Sequence, residues 1–70
     1  MKLTEIRALS TDEIKARLND TREELMKLRF QLATGGLTDH TRLSQTRRTI
    51  ARLLTVIQER QAAEQEEGQA

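Results

Sequence analysis

The chain has 70 residues, of which 25 are apolar and seven of those alanine, so 18 side chains remain to fill a core of any depth. It holds one aromatic residue, Phe30, and no Trp, Tyr, Cys or Pro. These counts exclude a disulfide framework, a cysteine-based zinc site and a two-layered enzyme pocket, and one core in a domain this small supplies no more than about 3–5 kcal/mol. No stretch approaches the run of about 18 apolar residues that a membrane span needs. The opening Met1-Lys2-Leu3-Thr4-Glu5 lacks the apolar region of a secretory signal, so an intracellular protein without membrane association is expected.

The net charge of +1 conceals a strong asymmetry. Residues 1–24 carry five basic and six acidic side chains; residues 25–58 carry Lys27, Arg29, Arg42, Arg47, Arg48 and Arg52 against Asp39 alone; residues 59–70 carry Arg60 against four glutamates. A basic middle between acidic ends points to a polyanionic partner.

In chain order, Leu3, Ile6 and Leu9 fit a short helical turn. Ser10 and Glu13 then form the S-x-x-E signature of a helix start, flanked by Leu9 and Ile14 as a hydrophobic staple. Asp12 and Glu13 place negative charge where the helix dipole favours it. Ile14, Leu18, Leu25, Leu28 and Leu32 recur at helical spacing, interrupted at Thr21, and predict a first long helix over about residues 11–34. Gly35-Gly36 ends it, one glycine taking the left-handed conformation while Leu37 folds back, so the link spans 35–37.

Thr38 or Asp39 is the expected cap of a second helix over about 39–62. Its stripe is Leu43, Ile50, Leu53, Leu54 and Ile57, interrupted at Thr46 and Arg47. An acidic tail over 63–70 is expected to fray, because its glutamates sit at the wrong end of the helix dipole. Two striped helices joined by a short glycine link predict an all-α fold: a long antiparallel two-helix hairpin with a short N-terminal helical turn over its open end.

On the second helix Thr41, Gln45, Arg48, Arg52 and Thr55 fall opposite the stripe, with Arg42 and Arg47 flanking it. Residues 40–58 contain no carboxylate, so the arginines have no ion-pair partner within their own stretch. Arginine forks suit bidentate phosphate contact, and the intervening hydroxyls and amide are expected to donate to phosphate or 2′-hydroxyl oxygens. On the first helix Phe30, with Met26 on its flank, projects away from the stripe: either it covers the hairpin's side or folds under the tip loop, or it is a contact with protein or nucleobase, rimmed by Lys27, Arg29 and Gln31. His40 lacks companions for a metal site. No phosphate loop, nucleophile–base pair or metal motif is present, so no catalysis, metal, cofactor or small-molecule substrate is expected.

Leu28-Arg29-Phe30-Gln31-Leu32-Ala33-Thr34-Gly35 followed by Thr46-Arg47-Arg48-Thr49-Ile50-Ala51-Arg52 resembles the bacterial large-subunit ribosomal protein twenty-nine family, and Lys2-Leu3-Thr4-Glu5-Ile6-Arg7 fits it too. The likeness runs from residue 2 to about residue 60. It implies a cytoplasmic, ribosome-bound α-hairpin on large-subunit ribosomal RNA, near the exit of the nascent-chain tunnel. It further implies ribosomal protein twenty-three as neighbour, and proximity to targeting factors and chaperones. The family's basic motif maps onto Arg47, Arg48 and Arg52, and its first-helix terminus onto Arg29, Phe30, Gln31, Thr34 and Gly35. Two features depart from the pattern: Gln45 stands where a basic residue is common, and the tail is unusually acidic. The competing expectation is an interaction module that self-associates through its apolar stripes. A DNA-binding helix-turn-helix is disfavoured, because its helices are shorter and cross at about 90–120°.

Overall fold

The structure is a computed structural model that describes the backbone of residues 1–69 and the side-chain environments of residues 1–65. Three helices follow in order: α1 (Leu3–Arg7), α2 (Thr11–Ala33) and α3 (His40–Gln69). There is no strand among the described residues.

Helix α2 starts where its capping chemistry dictates. Ser10 is extended and its hydroxyl accepts from the Glu13 amide at 3.2 Å. Only this half of the expected capping box forms; the Glu13 carboxylate does not return to the Ser10 amide. The staple is in place, with Ile14 fully buried and Leu9 against the same cluster. At the far end, the Gly36 amide donates to the Gln31 carbonyl at 2.8 Å and the Gly35 amide to the Leu32 carbonyl at 3.2 Å. That pair of bonds is a Schellman motif, and it requires the left-handed conformation that Gly35 adopts at φ +80°. Helix α3 is capped by Asp39, whose carboxylate accepts from the Thr41 amide at 3.0 Å.

The long helices are antiparallel: Arg42 reaches Glu24 near the tip, and Arg60 reaches Thr11 at the open end. Helix α1 lies against α3 at that open end and plugs it with Ile6. The main core is Ile6, Ile14, Leu18, Leu53, Val56 and Ile57. It therefore lies between all three helices toward the open end. Leu28 is the buried apolar side chain nearest the tip. The molecule is a rod of 53 × 19 × 15 Å.

Four features differ from the sequence expectation. Thr46 does not interrupt the seam but is buried in it, its hydroxyl donating to the Arg42 carbonyl at 2.8 Å. Val56 joins the core because α3 packs on two helices rather than one. Leu32 is 43% exposed: the stripe runs on into the tip, where α3 has not yet begun. Finally, α3 continues to Gln69 instead of ending near residue 62. Gln61-Ala62-Ala63-Glu64-Gln65 are good helix formers that need no partner to propagate, and no proline stops them. Residue 70, at the end of the expected tail, lies outside the described residues.

Arg60 holds the open end together. Its guanidinium donates to the Leu9 carbonyl at 2.8 Å, the Arg7 carbonyl at 3.2 Å and the Thr11 hydroxyl at 3.0 Å. It thus caps the last turn of α1 and the first of α2 from α3. Arg7 and Glu59 add an exposed ion pair at 3.1 Å beside it.

Candidate nucleic-acid interface

Helix α3 buries one arc of its surface, which leaves Thr41, Gln45, Arg48, Arg52 and Thr55 on the outer side. Between α3 and the start of the chain lies an open groove of about 470 Å³, lined by Met1, Gln45, Arg48, Thr49 and Arg52. Arg52 donates through Nη1 to the Met1 carbonyl at 2.9 Å, which fixes its guanidinium at the groove edge and leaves the other nitrogens free. Arg48 and, on the flank, Arg47 are exposed and engage no acceptor among the described residues. An arginine already held in place loses less side-chain freedom on binding an anion than one that is not.

The expected site residues are not equivalent. Arg42 is held across the hairpin, donating through Nε and Nη2 to one oxygen of Glu24 at 3.1 and 2.9 Å. The carboxylate missing from its own stretch is thus supplied by α2. Both partners are substantially exposed, at 65% and 43%, so the pair contributes little and leaves Arg42 exchangeable. Two of the intervening hydroxyls are engaged within the helix: Thr49 donates to the Gln45 carbonyl and Thr55 to the Ala51 carbonyl. Thr34 likewise donates to the Phe30 and Gln31 carbonyls as part of the helix end. Thr41 stays exposed on the arginine face.

Gln45, which departs from the family's basic pattern, lines the groove with Arg48 and Arg52. The spacing that carries this is legible afterwards: Gln45 precedes Arg48 by three residues and Arg52 by seven, on one helix face. Met1 carried no signal of its own, since its position depends on how α1 docks.

A second exposed surface lies on α2. Phe30 is 69% and Met26 66% exposed, one turn apart. Lys27, Arg29 and Gln31 around them are exposed, and their side chains have no partner among the described residues. At about 100° per residue, Phe30 and Arg48 each point roughly 140–160° from the buried stripe of their own helix. Because those stripes face one another, the two surfaces look out from opposite sides of the rod. The apolar stripes pack mainly against one another within the chain, apart from Leu32 at the tip, which leaves little of them for self-association.

A family model described as Ribosomal L29 protein matches residues 4–60. The chain belongs to the ribosomal L29 protein family. Among its relatives, large ribosomal subunit protein uL29 of Staphylococcus haemolyticus is 49% identical over 69 residues, covering 99% of this chain and all of the relative. The protein of the same name from Symbiobacterium thermophilum is 49% identical over 70 residues and the full length of both. That of Coprothermobacter proteolyticus is 50% identical over 60 residues, which are 86% of this chain and 94% of the relative. The ribosomal L29 family is one of structural proteins, and the chain is not an enzyme. No helix among the described residues is long and apolar enough to cross a membrane.

Proposed function

We propose that this chain is a structural constituent of the large ribosomal subunit that binds ribosomal RNA through the outer face of α3, in the cytoplasm and beside the nascent-chain exit tunnel. Family membership supports the assignment to the subunit. The observation that carries the RNA reading is the pair Arg47 and Arg48: both are exposed and unpaired, on a stretch of α3 without a carboxylate. Arg52, steadied by the Met1 carbonyl, extends the same surface by one turn.

The mechanism is electrostatic and geometric, with no chemistry performed. A duplex RNA offers phosphates and 2′-hydroxyls along a wide, shallow groove, which suits a rigid helix laid against it. Arg47, Arg48 and Arg52 neutralise phosphates, Gln45 and Thr41 offer neutral polar contacts between them, and Arg42 joins by exchanging Glu24 for a phosphate. Lys27, Arg29 and Gln31 add contacts from α2, and Thr34 takes part as an acceptor. Ribosomal protein twenty-three as neighbour, and targeting factors and chaperones docking nearby, complete the reading that the family resemblance implies.

The test is titration against bacterial large-subunit ribosomal RNA at several salt concentrations. Log K is expected to fall linearly with log salt, and Arg48→Ala to reduce the slope by about 0.7–0.9, one phosphate's worth. Helical circular dichroism should not change, since Arg48 makes no bond within the protein. Absent binding, or a slope that Arg48→Ala leaves untouched, would remove the α3 face as the functional surface.

A further inference from the structure

The outer face of α2 carries a side chain that the fold does not use. Phe30 is the only aromatic residue of the chain and is left 69% exposed, with Met26 beside it at 66%. In a molecule short of core-forming side chains, a phenyl ring turned to solvent contributes almost nothing to stability. Its backbone, by contrast, is firmly held: the Phe30 carbonyl accepts from both the Thr34 amide and the Thr34 hydroxyl at 3.1 Å. The ring therefore stands on the last, doubly bonded turn of a helix locked by the Gly35 motif.

The charge around it selects the occupant. Residues 25–38 contain Lys27 and Arg29 and no carboxylate. Glu24, the nearest preceding acid in the sequence, is held toward α3 by Arg42, and the exposed Glu23 lies two turns before the ring. An exposed ring with unpaired cations on both sides is complementary to a flat, polarisable group within a polyanion. That description fits an unpaired nucleobase, which stacks on an aromatic face while its flanking phosphates meet lysine and arginine.

We propose that Phe30 is a stacking platform for an unpaired base of the bound ribosomal RNA, with Lys27 and Arg29 on the adjoining phosphates. This rests on the RNA-binding reading above and extends it: the rod is held by RNA on two opposite faces, phosphates on α3 and a base on α2. Met26 supports the ring from one turn before, as a polarisable neighbour.

Two substitutions test it in the full chain. Phe30→Leu keeps an apolar side chain without a π-face and should weaken binding to large-subunit ribosomal RNA by about 5- to 150-fold. The salt slope should stay as it was, because no charge is removed. Phe30→Trp should bind at least as well as the parent, and its indole emission should be quenched when RNA is added. Helical circular dichroism checks that both variants are folded, as the exposure of Phe30 leads one to expect. If the parent binds with a steep slope that Arg48→Ala lowers, yet Phe30→Leu binds within about twofold of it and the indole emission does not change, the stacking proposal is overturned. The RNA-binding reading then stands, and the α2 face falls to a protein partner. If the parent binds no RNA at all, both readings fall together.

Discussion

Gly35→Ala and Gly36→Ala, adjacent and chemically identical changes, should move stability in opposite directions. Gly35 sits at φ +80°, and a Cβ built there meets nothing within 4 Å. The penalty at Gly35 is therefore purely conformational, about 1–2 kcal/mol for an L-residue in the left-handed region. Restricting the unfolded chain returns about 0.4–1 kcal/mol, which leaves a net loss of about 1 kcal/mol. Gly36 does not have positive φ, and its Cβ would meet the Gln31 carbonyl oxygen and Thr34 Oγ1 at 3.8 Å, ordinary contact distances. Only the unfolded-state gain remains there, so Gly36→Ala should stabilise by about 0.4–1 kcal/mol. Urea unfolding followed by far-ultraviolet circular dichroism separates the two, with midpoints displaced to opposite sides of the parent by several tenths of a molar to about 1 M. A Gly36→Ala midpoint at or below that of Gly35→Ala would refute the assignment of the left-handed position, and with it the account of how the Phe30 turn is held.

Two further predictions concern the interior. Arg60→Ala should destabilise by about 1.5–3 kcal/mol, because a charged donor is lost from three acceptors at once and their contributions are not additive. Hydrogen exchange should show the amides of α1 opening ahead of those of α2; uniform opening would mean that Arg60 does not strap α1. Thr46→Val should stabilise by about 0.5–1 kcal/mol, since it replaces a buried, back-bonded hydroxyl by a methyl while the Arg42 carbonyl keeps its helical partner. Thermal unfolding measures it, and a lower midpoint would show that the Thr46 hydroxyl is required in the seam.

The hairpin was legible because its determinants are local. Ser10, Gly35 and Asp39 act within a few residues of themselves, and the spacing of Ile14, Leu18 and Leu28 declares one buried face. What escaped were consequences of three bodies meeting. Val56 is redundant in a two-helix seam and becomes core only when Ile6 arrives on its side of α3. Arg60 reads as one more charge in an acidic segment until the ends of α1 and α2 present it with two carbonyls and a hydroxyl. Thr46 reads as polar by type, whereas its shape is that of valine and its one hydrogen is satisfied within its own helix. The site divides in the same way. Exposure of Arg47 and Arg48 followed from helical phase, but the Arg42–Glu24 pair and the Met1 contact of Arg52 depend on which elements lie opposite.

The same three-body geometry explains why the arginine face of α3 takes the form of a groove. Counted at about 100° per residue, the buried and half-buried positions of α3 from Val56 round to Leu54 occupy roughly 160°, so the polar arc is the larger part of the helix. On a bare two-helix hairpin that arc would be a convex ridge, with Arg52 as free to move as Arg48. Helix α1 changes this by docking through Ile6 at the edge where Gln45 and Arg52 emerge, which brings Met1 up as a wall and a carbonyl to Arg52. One buried isoleucine thus links core formation to the arrangement of the arginine face. Truncating Ile6 is a change remote from any phosphate contact, yet it should loosen Arg52 as well as the core. Arg48, which leans on nothing in α1, should keep its share of the salt dependence.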